Sequence, residues 1–207
     1  KINKSTKLLY APMGIDLDLW PYCYEPVNPK RVVYFGGLGS DHNQNEVLKC
    51  YNQIMPSLWE KYSDIEFWIV GSNPTKEIKQ LMVHDRRVNV TGYLEDVVKI
   101  LKTMSFLICP WSGKYGFRSR IIEVMAIGVP VVTSFDAVHG MGLKNNHGIL
   151  LSNTTRTMIK NCKTILNDQT LLFDHSFKAR EQIEKMFSFQ NTYGVLSKKI
   201  FENINES

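Results

Sequence analysis

The chain of 207 residues, 43% hydrophobic and 22% charged, is long enough to bury a sizeable core and has the composition of a soluble globular protein. A net charge of +5 without a dense basic run argues against a nucleic-acid-binding protein, and no apolar run approaches the length of a membrane span. The cysteines form neither a CxxC pair nor a Cys/His metal spacing, so we expect Cys50 and Cys109 to be buried free thiols in a reducing compartment.

Residues 1–30 contain one predicted strand and an irregular connector. The apolar run 8–11 has the length of a strand. Four prolines and a glycine then interrupt the chain, at Pro12, Gly14, Pro21, Pro26 and Pro29. We therefore do not expect this segment to form a domain of its own.

From residue 31 onward, apolar runs of strand length alternate with stretches of helical periodicity. The run 32–35 has the β-branched and aromatic character of a strand buried on both faces. A helix is predicted over 43–62, with Asn43 or Asn45 as its cap and a kink or break at Pro56. The alternation continues with strands at 65–70, 88–91, 106–109, 129–133 and 149–151, and with helices at 76–82, 95–103, 121–126, 155–166 and 169–187, before a last amphipathic stretch at 191–203.

This alternation predicts an α/β domain with a doubly wound parallel sheet. In such sheets, ligands bind at the carboxyl ends of the strands. The loops near Gly36, Gly92 and Trp111 each follow a predicted strand, so we expect them to share one edge with the loop 113–120.

The loop 113–120 is basic, is punctuated by glycine and leads into a helix. Arg118 and Arg120 stand at the helix start, where positive charge opposes the helix dipole unless an anion compensates it. Free backbone N–H groups and guanidinium forks at such a position suit a phosphate group. The alternative is solvated surface charge, and the opposed dipole favours the phosphate site over it.

Two further motifs are ambiguous on local grounds. Gly36-Gly37-Leu38-Gly39 follows the first predicted strand but matches neither GxGxxG nor a P-loop, so a tight turn is favoured and a dinucleotide oxidoreductase loses support. Glu123 lies one helical turn after Arg120, where it could accept hydrogen bonds from sugar hydroxyls or form an intrahelical ion pair. Both alternatives stay open at this point.

The string from Gly116 to Val132, G-x-x-x-R-x-x-E-x-M-A-x-G-x-P-V-V, resembles the donor-site signature of GT-B glycosyltransferases. It is most similar to the large retaining family that includes sucrose-phosphate synthase and lipopolysaccharide-type transferases. Other segments follow in family order, at 11–16, 35–37, 69–71, 90–93, 136–140 and 187–189. The similarity covers nearly the whole chain but only the C-terminal, donor-binding half of such enzymes, with a Rossmann-like sheet.

The resemblance implies roles for individual residues. Glu123 corresponds to the glutamate that binds the ribose hydroxyls, and Arg120 to a basic residue near the diphosphate, assisted by Arg118. These two, Arg120 and Glu123, are the catalytic residues that it implies. The remaining donor-binding positions are Gly36, Gly37, Gly92, Tyr93, Gly116 and Phe117.

Two positions depart from the family pattern. Members commonly carry a second glutamate eight positions before the ribose-binding one, and Tyr115 stands there, so the sugar and the anomeric outcome stay open. His139 replaces the glutamate that usually precedes Gly140, and we assign it no role. No metal or cofactor is implied, because the DxD letters of Asp16 and Asp18 lie in the connector.

We therefore expect the donor-binding half of an enzyme that transfers a sugar from a UDP- or GDP-type nucleotide sugar to a glycan or lipid-linked acceptor in polysaccharide biosynthesis. We expect residues 1–30 to be the connector and last strand of a missing N-terminal domain. Residues 31–187 should form the donor-binding domain, and residues 188–207 a crossover helix. We expect a cytoplasmic protein, with room for peripheral contact at the inner face of a membrane. The alternatives are a catalytically degenerate nucleotide-binding or interaction module, and a GT-B-like nucleotide-sugar epimerase.

Overall fold

The computed structural model of the chain describes residue 9 and residues 13–114 and 116–205. Its six strands form one parallel sheet in the order β3-β2-β1-β4-β5-β6, with helices on both faces, which confirms the predicted α/β class and the parallel sheet. The predicted strand 8–11 falls, except for Leu9, outside the described residues, as does Tyr115. No helix in the described part of the chain is both long and apolar enough to span a membrane.

The strands occupy the predicted apolar runs. They are β1 Arg31–Phe35, β2 Glu66–Val70, β3 Val88–Gly92, β4 Phe106–Cys109, β5 Val131–Ser134 and β6 Ile149–Ser152. β5 begins two residues later than predicted, because the Val129 N–H still bonds to the Val124 carbonyl and closes the preceding helix. β1 pairs with β2 on one side and β4 on the other, so the sheet reverses its winding direction beside β1. A crevice at the carboxyl end of β1 follows from that reversal.

The helices are α1 Asp41–Lys49, α2 Met55–Lys61, α3 Lys76–His84, α4 Val98–Leu101, α5 Ser119–Ala126, α6 Thr155–Asn167, α7 Gln169–Phe187 and α8 Val195–Asn205. The predicted capping by Asn43 or Asn45 is wrong, because the Ser40 hydroxyl accepts from the Asn43 N–H and starts α1 two residues earlier. The predicted break near Pro56 is present as a π-helical turn, Cys50–Ile54, between α1 and α2.

Two predicted helices differ in length or form. The helix predicted over 95–103 is reduced to the four residues of α4, because its flanks close into i to i+3 turns, which return the chain to the sheet at β4. The last amphipathic stretch begins as a π-helical turn, Gln190–Gly194, before α8. Ile200 and Phe201 of α8 are exposed.

The core lies in two apolar layers, one on each face of the sheet. Val32 and Tyr34 of β1 belong to the layer that α1, α2, α3 and α6 cover, whereas Val33 belongs to the layer of α4, α5 and α7. β1 is therefore buried on both faces, as its sequence predicts. Cys50 and Cys109 are buried free thiols, which confirms that prediction.

Hydrogen bonds to the backbone of the connector bind it to the domain. The Ile15 N–H donates to the Phe187 carbonyl at 2.7 Å, and the Gly14 N–H donates to the Tyr193 hydroxyl at 3.0 Å. Arg180 of α7 donates to the carbonyl oxygens of Trp20 and Ala126. These contacts hold the connector beside α5 and bring Trp20 to the carboxyl edge of the sheet.

Candidate functional site

A cavity of about 400 Å³ lies at the carboxyl ends of β1, β2 and β3, against the start of α5. Its lining comprises Trp20, Phe35, Gly36, Gly37, Val70, Gly71, Ser72, Gly92, Tyr93, Leu94, Val97, Ser119, Arg120 and Glu123. The structure therefore brings together six of the nine site residues named from the sequence. Parallel strands all end at one edge of the sheet, and the reversal of winding direction beside β1 leaves a crevice at that edge.

Glycines allow the loops that line this cavity to pack closely against each other and against Arg120. A Cβ at Gly71 would lie 1.9 Å from the Gly36 carbonyl oxygen, so the loops after β1 and β2 touch through their backbones. Gly36 has φ +146°, and a Cβ there would lie 2.5 Å from Nη1 of Arg120. A side chain at either position would push the loops apart or displace the guanidinium.

Arg120, the second residue of α5, points its guanidinium at the end of β1. Nη1 donates to the Tyr34 hydroxyl at 3.0 Å and to the Phe35 carbonyl at 3.2 Å, and Nη2 donates to Oδ1 of Asn43 at 3.2 Å. Within the described residues, these are its hydrogen bonds. They leave the Nε–H and one Nη2–H, a pair of parallel donors with the spacing of two phosphate oxygens. The guanidinium is fixed on one edge and available on the other.

Glu123 lies one turn further along α5, partly buried at the cavity wall. Burial raises the pKa of its carboxyl, while a hydrogen bond from the Ser119 side chain and the charge of Arg120 lower it. Among the described residues it forms no ion pair with Arg120, whose guanidinium is directed at β1 instead. Its carboxylate oxygens can therefore accept from hydroxyl groups in the cavity.

The apolar part of the cavity lining includes Trp20, Leu94 and Val97, and the exposed ring of Tyr93 also lines the cavity. Tyr93 was named from the sequence, but Trp20 was not, because the connector carries no motif. Its position depends on the bond from Arg180, which no local pattern reveals. Ser72 and Ser119 were also missed, since single serines beside a glycine or an arginine are common on any surface.

Three predicted residues do not line the cavity, namely Gly116, Phe117 and Arg118. The Phe117 ring lies edge-on to Phe187, with 6.0 Å between the ring centroids. Gly116 has φ +75°, which only glycine adopts without strain, in the loop before α5. Their contact with a donor remains a prediction.

Arg118 supports its own loop from within. Its side chain is only 5% exposed, and the guanidinium lies 3.7 Å from the Trp111 ring centre. It donates to the carbonyl oxygens of Gly113, Gly116 and Ala137. Both Nη groups of Arg118 thus bind backbone carbonyl oxygens, whereas Arg120 lines the cavity. Within the part of the chain that the structure describes, no cluster of three metal-ligating side chains is present.

Comparison with known proteins identifies similar sequences and folds. A family model described as glycosyl transferases group 1 matches residues 29–168, which is well over half of the chain. A search of curated proteins gave no significant match. Among solved structures, the C-terminal domain of the group 1 glycosyl transferase LpcC from Francisella tularensis is 16% identical with a TM-score of 0.65, and the alignment covers 86% of this chain and 100% of that domain.

Two longer structures are also similar. Sucrose-phosphate synthase from Thermosynechococcus elongatus is 17% identical with a TM-score of 0.70, over 95% of this chain and 53% of that one. HepE from Anabaena, solved in complex with UDP-glucose, is 16% identical with a TM-score of 0.71, over 94% of this chain and 56% of that one. The chain thus spans little more than half the length of both proteins, with which it shares a fold.

Proposed function

Because the chain belongs to the glycosyl transferases of group 1 and has the fold of the C-terminal half of a GT-B enzyme, we propose that its cavity binds a nucleotide-diphosphate sugar. This sugar nucleotide would be the donor of a transfer reaction. One observation carries the proposal: the open donor edge of Arg120 and the carboxylate of Glu123 line a single cavity floored by Gly36. The two groups lie about one helical turn apart on α5, so the diphosphate and the ribose of one ligand can contact both.

In this assignment Arg120 binds the diphosphate. When the bond between the anomeric carbon of the sugar and the diphosphate oxygen breaks, negative charge accumulates on the diphosphate. The acceptor hydroxyl forms the new bond to that carbon and loses its proton. Because Tyr34 and Phe35 already fix the guanidinium, it stabilises this charge without rearranging first. The N-terminus of α5, at Ser119, lines the same cavity, so the positive end of the helix dipole also favours a negative charge there.

The nucleoside is assigned to the part of the cavity that Glu123 and the apolar side chains line. Glu123 accepts hydrogen bonds from the ribose hydroxyls, and the base packs against the apolar wall of Trp20, Leu94 and Val97. Tyr93, with 77% of its surface exposed, can cover the base without first breaking contacts. HepE, which shares the fold, has been solved with UDP and with UDP-glucose, which supports a UDP-type donor here; a GDP-type donor is the second option.

We also propose that the acceptor, a glycan or a lipid-linked molecule, binds mainly to an N-terminal domain that precedes residues 1–30. The chain spans about half the length of sucrose-phosphate synthase and HepE, which supports a missing partner domain. Residues 31–187 then form the donor-binding domain, and 188–207 the helix that returns toward the missing half. A cytoplasmic location with peripheral membrane contact, in polysaccharide biosynthesis, fits such a donor and acceptor.

The test is calorimetry of the chain with UDP, GDP and ADP, each paired with its nucleoside. We expect at least one nucleoside diphosphate to bind more tightly than its nucleoside, because the diphosphate adds charge-assisted hydrogen bonds to Arg120. Equal affinity for diphosphate and nucleoside, or no binding of either, would contradict the proposal. Diphosphate binding with no transfer by the two-domain protein would favour the degenerate binding module instead.

A further inference from the structure

A buried carboxylate lies directly beneath Arg120, outside the cavity. Glu46 of α1 is 4% exposed, and its Oε2 lies 3.3 Å from the hydroxyl of Tyr34, which accepts a hydrogen bond from Arg120. Its Oε1 lies 3.4 Å from Nε2 of His42. Neither Glu46 nor Tyr34 lines the cavity, so neither contacts a donor directly. The Tyr34 hydroxyl connects Glu46 to Arg120, which does line the cavity.

The hydroxyl of Tyr34 can donate its one proton to either of two acceptors. Oδ1 of Asn43 and Oε2 of Glu46 both lie 3.3 Å from it. An ionised Glu46 attracts this proton, whereas a protonated Glu46 leaves it to Asn43, which also accepts from Arg120. Tyr34 and Asn43 are two of the three residues that accept hydrogen bonds from Arg120. The protonation state of Glu46 therefore alters how they hold the guanidinium.

Charged and titratable groups face Glu46 from four directions. On α1 and the π-helical turn that continues it they are His42, Lys49 and Cys50; on β1, Tyr34; on β4, Cys109; and at the start of α5, Arg118 and Arg120. Burial raises the pKa of Glu46 to about 7, although the two arginines oppose the shift. Burial and the same arginines lower the pKa of His42.

We propose that Glu46 is a positioning residue for Arg120 and that it takes up a proton when a nucleotide diphosphate binds. The inference rests on the proposed function, because it needs an anion at Arg120. A bound diphosphate neutralises the positive charge that keeps Glu46 ionised, so the protonated form becomes more stable. The proton comes from the solvent, and binding weakens as the pH rises through the range in which free Glu46 loses it.

The experiment is calorimetry with UDP-glucose, whose diphosphate has no proton to lose near neutral pH, and with UDP above about pH 7.5, where its terminal phosphate is already ionised. Titrations in buffers of different ionisation enthalpy report the protons taken up. We expect the chain to take up roughly half a proton per ligand, and its affinity to fall about threefold to tenfold from about pH 7 to pH 8.5. His42 keeps its ionisable ring in both the unsubstituted chain and Glu46→Gln, so the difference in proton uptake between the two reports Glu46.

Glu46→Gln should lose this proton uptake above about pH 7 and should keep the affinity of the unsubstituted chain at the acidic end across the range, because the amide mimics the protonated acid. Glu60→Gln, the same substitution at an exposed position of α2, is the matched control and should behave like the unsubstituted chain. Thermal unfolding shows whether each variant is folded.

The two proposals fail in different ways. Binding of UDP or UDP-glucose without proton uptake, or uptake that persists in Glu46→Gln, overturns the role of Glu46 and leaves the proposed function intact. If neither ligand nor any other nucleoside diphosphate binds at any pH, both proposals are overturned.

Discussion

The backbone of Gly36 and the guanidinium of Arg120 are packed so closely that a methyl group at residue 36 would lie 2.5 Å from Nη1. The loop after β1 and the first turn of α5 therefore form one unit. Gly36 provides the space in which Arg120 reaches the Tyr34 hydroxyl and the Phe35 carbonyl. Of the two glycines after the first strand, Gly36 is the one that packs against this arginine.

Gly36→Ala should therefore weaken nucleoside diphosphate binding much more than Gly37→Ala. A methyl group at residue 36 displaces Arg120, and φ +146° is unfavourable for alanine, whereas at residue 37 the nearest atom, Oγ of Ser72, is 3.8 Å away. We expect about a tenfold or greater loss of UDP or GDP affinity for the first variant and less than about twofold for the second, by calorimetry. Equal losses would show that Gly36 does not act through Arg120.

Arg120→Ala should weaken binding of a nucleoside diphosphate by about 10- to 100-fold while changing binding of its nucleoside little. The expected loss is that of charge-assisted hydrogen bonds to phosphate, about 1.5–3 kcal/mol. Arg156→Ala, at an exposed position of α6, is the matched control for the loss of one positive charge. If nucleoside and diphosphate lose affinity equally, Arg120 is not the phosphate ligand.

Arg118→Lys should cost stability before it costs binding. Lysine cannot stack on Trp111 with a planar group or donate to the three carbonyl oxygens that Arg118 binds, so we expect the free energy of unfolding to fall by about 2 kcal/mol in urea. UDP affinity of the folded variant should change less than in Arg120→Ala. A large loss of affinity at unchanged stability would instead identify Arg118 as a donor ligand.

The strands and the location of the site could be predicted because they depend on local patterns. Continuous apolar runs ended by glycine or proline define strands such as 32–35 and 106–109 without reference to the rest of the chain. Parallel strands place their ends at one edge, so the meeting of Gly36 and Gly92 with Arg120 also followed, whereas Trp111 does not line this cavity. The start of α1 was less accessible, since Ser40 precedes a polar turn with no apolar residue to mark it.

The local sequence pattern does not separate the structural role of Arg118 from that of Arg120. Arg118 and Arg120 are two residues apart in one basic loop, and their sequence context is the same. Only the fold places Trp111 and the Ala137 carbonyl under one and Tyr34 and Asn43 under the other. Contacts between residues distant in sequence decide which guanidinium is available, and the same is true of Trp20 and the buried Glu46.

Glu46→Gln should stabilise the ligand-free chain in a pH-dependent manner. Because the folded pKa of Glu46, about 7, lies above its ordinary value of 4.5, folding disfavours the ionised form. That cost is absent below about pH 4.5, grows between the two values and is complete above about pH 7, where the variant should be more stable by about 3 kcal/mol. Urea unfolding from about pH 5 to pH 8 measures it, with Glu60→Gln as the control. A difference that does not vary with pH would show that Glu46 is ionised without cost.

Glu123→Gln should abolish discrimination for the ribose hydroxyls while leaving diphosphate binding in place. The carboxylate can accept from both hydroxyls at once, and the amide offers a single, uncharged acceptor oxygen, so its hydrogen bonds are weaker. We expect the unsubstituted chain to bind UDP, or GDP if that is the ligand, about tenfold more tightly than its 2′,3′-dideoxy analogue, and the variant to bind both about equally. Glu95→Gln, exposed beyond the cavity wall, is the matched control. Because Arg120 does not depend on Glu123 for its hydrogen bonds, the dideoxy analogue should bind the variant and the unsubstituted chain alike. Equal loss for both ligands would mean that Glu123 supports the shape of α5 and does not contact the ribose.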